Sequence, residues 1–226
     1  MKYLLVVAHP DDEVLGAGAS ISKWAQSGDT VDVAIMCAEA KARAFRPMDS
    51  ELEDDTRKAI SNLGVNHVYK GIFPNIMMNT VPHLELVQFI EAAIRESEPD
   101  VVITHHPADT NNDHLMTSMA CQEAVRLFQR RADLKPLGEF WYMEVLSCTE
   151  WSLNTAFNRF HPNLYVEVGI DGVKKKLQAL NMYRGVMRPY PHPRSEEALK
   201  GLAAYRGAQS GCYYAEAFEM VMKRIS

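Results

Sequence analysis

The segment Ala8-His9-Pro10-Asp11-Asp12-Glu13 sets an imidazole and three carboxylates directly after the apolar run 3–7. A second polar cluster, Thr104-His105-His106-Pro107-Ala108-Asp109-Thr110-Asn111-Asn112-Asp113-His114, follows another apolar run. If a helix starts soon after Pro10, His9 and Asp12 stand i, i+3 and face one point. Asp11 then looks elsewhere on the same rim. A histidine, a carboxylate and a histidine from the distant cluster form a three-ligand set for a catalytic divalent ion, with one position open to water. Such an ion brings the pKa of its water to about 7, and Asp11 is placed to take the released proton.

The same residue types have plainer uses. Acids at the start of a helix are favoured by its dipole and cap its free N–H groups. A histidine beside an acid, as His114 is beside Asp113, also serves as a cap or a core residue. Two such clusters, each after a strand, weigh toward chemistry, because ligands of open α/β sheets bind beyond the strand C-termini. Gly16-Ala17-Gly18 invites a dinucleotide reading that fails at Ile21, where G-x-G-x-x-G needs its third glycine. The acids of the first cluster would also line the pyrophosphate site.

The hydrophobic pattern supplies the elements that hold these clusters. Residues 3–8 read as a strand buried on both faces. Residues 14–26 have helical spacing, and residues 30–37 form a second strand, completing one βαβ unit. Further expectations are helices over 51–63 and 82–97, a short strand over 66–73, a strand over 101–105 and a helix over 114–131. Beyond Gly138, residues 139–146 and 163–169 read as strands, with residues 147–162 as a loop. Asp171 is expected to cap a helix running to residue 183, and a last helix covers 196–205. The alternation predicts an α/β fold, a Rossmann-like layered αβα sandwich with a mostly parallel sheet, formed by residues 1–226 as one domain.

Composition bounds the setting. A chain of 226 residues buries roughly 70% of its unfolded surface, enough for a core without disulfides. The four cysteines show no C-x-x-C spacing, so neither a zinc ribbon nor a disulfide framework is expected. The N-terminal apolar run is too short for a signal segment, and no stretch approaches a membrane span. These features predict a soluble, cytoplasmic protein. A net charge of −5, with Lys174-Lys175-Lys176 as the longest basic run, argues against a nucleic-acid partner.

AHPDDE followed by DTNNDH resembles the PIG-L/LmbE family of metal-dependent N-deacetylases, and the likeness extends to Cys148-Thr149-Glu150-Trp151, to Pro191-His192-Pro193-Arg194-Ser195 and to residues 206–218. Matched by motif, the resemblance implies His9, Asp12 and His114 as metal ligands, Asp11 as general base and Glu13 as a support of the turn. Zinc is the implied ion, with iron(II) as a substitute. Asn111 stands where many members of the family carry a histidine. Asparagine donates a hydrogen bond but delivers no proton, so His192 becomes the candidate acid, reaching the site of its own subunit or of a neighbour in a homo-oligomer. Arg43, Arg46 and Arg194 are candidates for holding a phosphate or carboxylate of the substrate. The expected reaction is removal of an N-acetyl group from an N-acetylglucosamine-like amino sugar or conjugate. Two alternatives are an amidase acting on a sugar–thiol conjugate and a non-catalytic nucleotide-sugar binding module, and acetate release with metal content separates the last from both enzymes.

Overall fold

A computed structural model describes residues 1–38, 48–152 and 159–225. Among them the strands are β1 (Lys2–Val7), β2 (Thr30–Ile35), β3 (His67–Lys70), β4 (Val101–His105), β5 (Glu139–Met143), β6 (Leu164–Glu167) and β7 (Ala215–Lys223). The helices are α1 (Asp12–Gln26), α2 (Asp49–Leu63), α3 (His83–Ser97), α4 (Asn112–Ala124), α5 (Gly169–Met182) and α6 (Glu196–Ser210). The strands form one sheet in the order β3-β2-β1-β4-β5-β7-β6. β1 to β5 run parallel, whereas β7 is antiparallel to both its neighbours.

Alternate residues of each central strand feed two separate cores. Leu5, Val7, Val33 and Ile103 pack with Leu15, Leu52, Leu180 and Leu199, which come from α1, α2, α5 and α6. Leu4, Val6, Ala34 and Val102 pack on the opposite face with Leu86, Ile90, Ala120 and Cys121 of α3 and α4. Burial on both faces explains why β1 and β4 read as unbroken apolar runs. The result is the expected αβα layering. Strand order reverses between β1 and β4, which opens the crevice at their C-terminal ends. Both polar clusters begin there.

Several boundaries differ from the sequence expectation, and the differences have local causes. α4 ends at Ala124 rather than near residue 131, and the chain tightens into a 3₁₀ turn at Leu127–Gln129 that buries Leu127. Asp171 lies inside the first turn of α5 and bonds Lys174, so it supports the helix dipole without capping it. β7 was not legible as a strand, because its buried half, Ala215-Glu216-Ala217-Phe218, carries a glutamate and two alanines and so reads neither as an apolar run nor as a strand-forming sequence. β5 stops at Met143, three residues short of the expected end.

α1 carries a kink at Ala17, whose φ of −145 leaves the helical range. The N–H groups of Ala19 and Ser20 turn instead to the Glu216 carboxylate at 3.2 and 2.7 Å. Lys176 of α5 neutralises that carboxylate at 2.7 Å and also donates to Leu15 O. One buried ion pair therefore ties β7 and α5 to the helix that begins at the first polar cluster.

Candidate active site

β1 ends on an Ala8 N–H that donates to His105 Nε2 at 2.9 Å. The chain then turns sharply through His9 and Pro10 to Asp11, which adopts φ 108, a left-handed conformation that side-chain-bearing residues rarely take. The turn points Asp12 back on itself, so that Asp12 Oδ2 accepts from the His9 N–H at 2.9 Å. α4 supplies the other half. The Asn111 side chain caps it by accepting from the Asp113 and His114 N–H groups at 2.9 and 3.4 Å.

These two helix starts converge. His9 Nδ1 lies 3.3 Å and His114 Nε2 3.2 Å from the same oxygen, Asp12 Oδ2. The outer nitrogen of each ring faces a second carboxylate: His9 Nε2 is 2.9 Å from Asp113 Oδ2, and His114 Nδ1 is 3.0 Å from Asp109 Oδ2. Asp113 is itself fixed by the Ile76 and Met78 N–H groups at 2.5 and 3.1 Å, and Asp109 by Thr149 Oγ1 at 3.0 Å. Carboxylates behind imidazoles in this way set ring orientation and raise ligand basicity. All five side chains are buried.

The electrostatics fit a cation. Burial opposes charge on His114, yet Asp12 and Asp109 hold its pKa well above the ordinary range. Burial likewise opposes charge on His9, and the bonds to Asp113 and Asp12 outweigh it. Asp12 is pushed up by burial and brought well below the usual carboxylate range by His114 and His9. The carboxylates thus favour positive charge between the two rings, which a divalent ion in place of the ring protons would supply. One ligand atom each from His9, Asp12 and His114 lie within 4.8 Å of one another. Two imidazoles and a carboxylate are a donor set that suits zinc or iron(II).

The other two histidines of the second cluster turn away. His105 is fully buried and stacks on His114 at 3.9 Å, and burial followed by the His114 charge pushes its pKa down to about 3. Its Nε2 lone pair is used by the Ala8 N–H, so its 3.6 Å approach to Asp12 is no ion pair. His106 packs edge-on against Tyr142, with its Nε2 3.4 Å from Glu219.

An open cavity stands over the cluster, lined by His9, Asp11, Asp12, Asn75, Ile76, Asn111, His114 and Arg194. Arg194 reaches in from the segment before α6, its Nη1 3.3 Å from Asp11 Oδ2 and its Nε donating to Ser147 Oγ at 2.9 Å. His192, expected as the acid, is exposed and does not line the cavity. Its Nδ1 accepts from the Arg194 N–H at 3.0 Å, and this turn sends the guanidinium inward and the imidazole out. Arg43 and Arg46 lie outside the described residues. Asp109, Asp113, Asn75 and Ile76 went unassigned by sequence reasoning. The two acids stood in the quoted second cluster, each within five residues of His114, but Asn75 and Ile76 carried no signal.

The fold and this cluster define an α/β protein with a candidate divalent-metal centre at its topological switch point. The chain belongs to the PIG-L family: residues 4–125 match the family model described as GlcNAc-PI de-N-acetylase. It is 30% identical over 131 residues to an uncharacterized deacetylase, YaiS, of Escherichia coli, a match covering 54% of this chain and 67% of that protein. It is 26% identical over 182 residues to a 1D-myo-inositol 2-acetamido-2-deoxy-alpha-D-glucopyranoside deacetylase of a Nocardioides species, covering 62% of this chain and 59% of the relative. Among solved structures, N,N'-diacetylchitobiose deacetylase from Pyrococcus horikoshii superposes with a TM-score of 0.79 at 21% identity, covering 97% of this chain and 83% of the other. A 4-carboxy-2-hydroxymuconate hydratase from Pseudomonas putida shares the fold too, with a TM-score of 0.74 at 20% identity over 100% of this chain and 98% of the other. The fold alone therefore does not select the reaction.

Proposed function

We propose that the protein is a metal-dependent N-deacetylase that hydrolyses the acetamide of an N-acetylglucosamine-like amino sugar or conjugate to acetate and a free amine. One observation carries the reading: His9 Nδ1 and His114 Nε2 converge on Asp12 Oδ2 at 3.3 and 3.2 Å in a cavity that Asp11 also lines. Family membership and the relatives named above support it. His9, Asp12 and His114 would hold the ion, most suitably zinc, which would supply Lewis acidity toward a water and an amide carbonyl.

The chain's own groups do the rest. Asp11 takes a proton from the attacking water and passes it to the departing nitrogen, so one carboxylate serves as base and then acid. Arg194, 3.3 Å away, keeps that carboxylate oriented on the cavity and offers a guanidinium to an anionic group of the substrate. Asn111 spends its Oδ1 on the helix cap, which leaves its Nδ2 to donate to the oxyanion of the tetrahedral intermediate. Residues 1–226 act in this reading as one catalytic domain.

The test is acetate release from a panel of N-acetylated amino sugars, nucleotide sugars and thiol-glycosides. Asp11→Asn should retain the ion and the melting temperature but lose roughly 10²-fold or more in kcat. An Asp11 that merely starts the helix would give near-normal turnover, since Asn caps about as well as Asp. Hydration of an unsaturated acid with no acetate released from any amide would favour the hydratase chemistry that shares the fold.

A further inference from the structure

We infer that Tyr183, acting through Glu13, is a positioning residue for Asp11. This rests on the reading of Asp11 as the group that moves the water proton. The left-handed backbone at Asp11, φ 108, is strained for a residue with a side chain, so the surroundings must over-determine it. The Asp11 N–H donates to Glu13 Oε2 at 3.0 Å, and the other oxygen, Glu13 Oε1, accepts from the Tyr183 hydroxyl at 2.5 Å. Glu13 is 0% exposed and Tyr183 1%.

Both carboxylate oxygens of Glu13 are engaged. The phenol holds one oxygen, which fixes the other beneath the Asp11 N–H. Tyr183 is itself set on a joint between two helices: it is the C-cap of α5, and the next N–H, that of Arg184, donates to Asp55 of α2 at 3.1 Å. The Asp11 carbonyl meanwhile accepts from Val14 and Leu15 at 3.1 and 2.8 Å, so the strained residue also starts α1. Were Asp11 to relax into an ordinary backbone region, its carboxylate would swing off Arg194 and away from the cavity. Tyr183 neither lines the cavity nor belongs to the ligand set, so it reaches Asp11 through this relay.

Tyr183→Phe keeps the ring packing and removes the hydroxyl. Ion content and KM should stay at wild-type values, measured well below the melting temperature, while kcat falls about tenfold or more. Introduced into Asp11→Asn, the same change should produce no further loss of kcat, because its target is already gone. Glu13→Met, which keeps the side-chain length and removes both acceptor oxygens, should show the same pattern and replaces the phenylalanine variant if that one fails to fold. Wild-type kcat in Tyr183→Phe, with only the melting temperature lowered, would overturn the inference, as would losses that multiply in the double variant. Wild-type kcat in Asp11→Asn would instead remove Asp11 from the chemistry and with it the reading on which the inference rests.

Discussion

Asp12 Oδ2 receives two imidazole nitrogens and a backbone N–H. On the proposed ligand set of two histidines and one carboxylate, losing either ring would leave too few donors for a catalytic ion. His9→Ala and His114→Ala should therefore emerge from desalting without the divalent ion that wild type retains, as read by elemental analysis. Full occupancy in both would refute the ligand assignment. His192 tests the opposite case, a residue singled out in the sequence and then placed in solvent. Its ring lies in solvent and outside the cavity, so His192→Ala should keep kcat near the wild-type value. A large loss would bring the ring back into the chemistry, by way of a neighbouring subunit.

The same logic of engaged groups governs the elements. The α1 kink survives because Glu216 accepts the two N–H groups it frees and Lys176 neutralises the carboxylate. Removing one partner leaves the other charge buried and alone. Glu216→Ala should cost about 3–5 kcal/mol in chemical denaturation, and Glu216→Ala combined with Lys176→Met should recover part of it, because an apolar pair strands no charge. Equal losses in the single and double variants would show that the ion pair is not what holds the kink. Since α1 begins at Asp12, a helix loosened at Ala17 should also weaken retention of the ion, which the same preparations can report.

At the scale of the molecule, the two cores share one sheet, with Leu4 and Leu5 of β1 serving opposite faces. Neither face can open without exposing the other, so residues 1–226 should unfold in one calorimetric transition whose measured enthalpy equals its van't Hoff enthalpy. Two resolved transitions would divide the chain into independent units. The proposed ion should act on that single transition by mass action. At a free concentration about a hundred times Kd it adds roughly 2.7 kcal/mol. For a chain of this size, that corresponds to a melting temperature lowered by about 5–10 °C on chelation. An unchanged transition would mean that no ion is held by the folded state.

Local spacing was enough to establish part of this protein. Helical and strand periods are set by neighbours a few residues apart, so the βαβ alternation, the two-sided burial of β1 and the i, i+3 relation of His9 and Asp12 were legible in the sequence. The pairing of the AHPDDE and DTNNDH motifs also pointed to the family. The motif match implied His114 as the partner of Asp12, but no local spacing says which of His105, His106 and His114 faces it; in the fold each ring turns to a distant group: the Ala8 N–H, the Tyr142 and Glu219 side chains, or Asp12 and Asp109. Tertiary structure likewise sent Arg194 inward in place of His192, set Asp113 and Asp109 behind the rings, and inserted β7 between β5 and β6. A side chain's direction depends on partners up to 197 residues away along the chain, and no local pattern encodes those contacts.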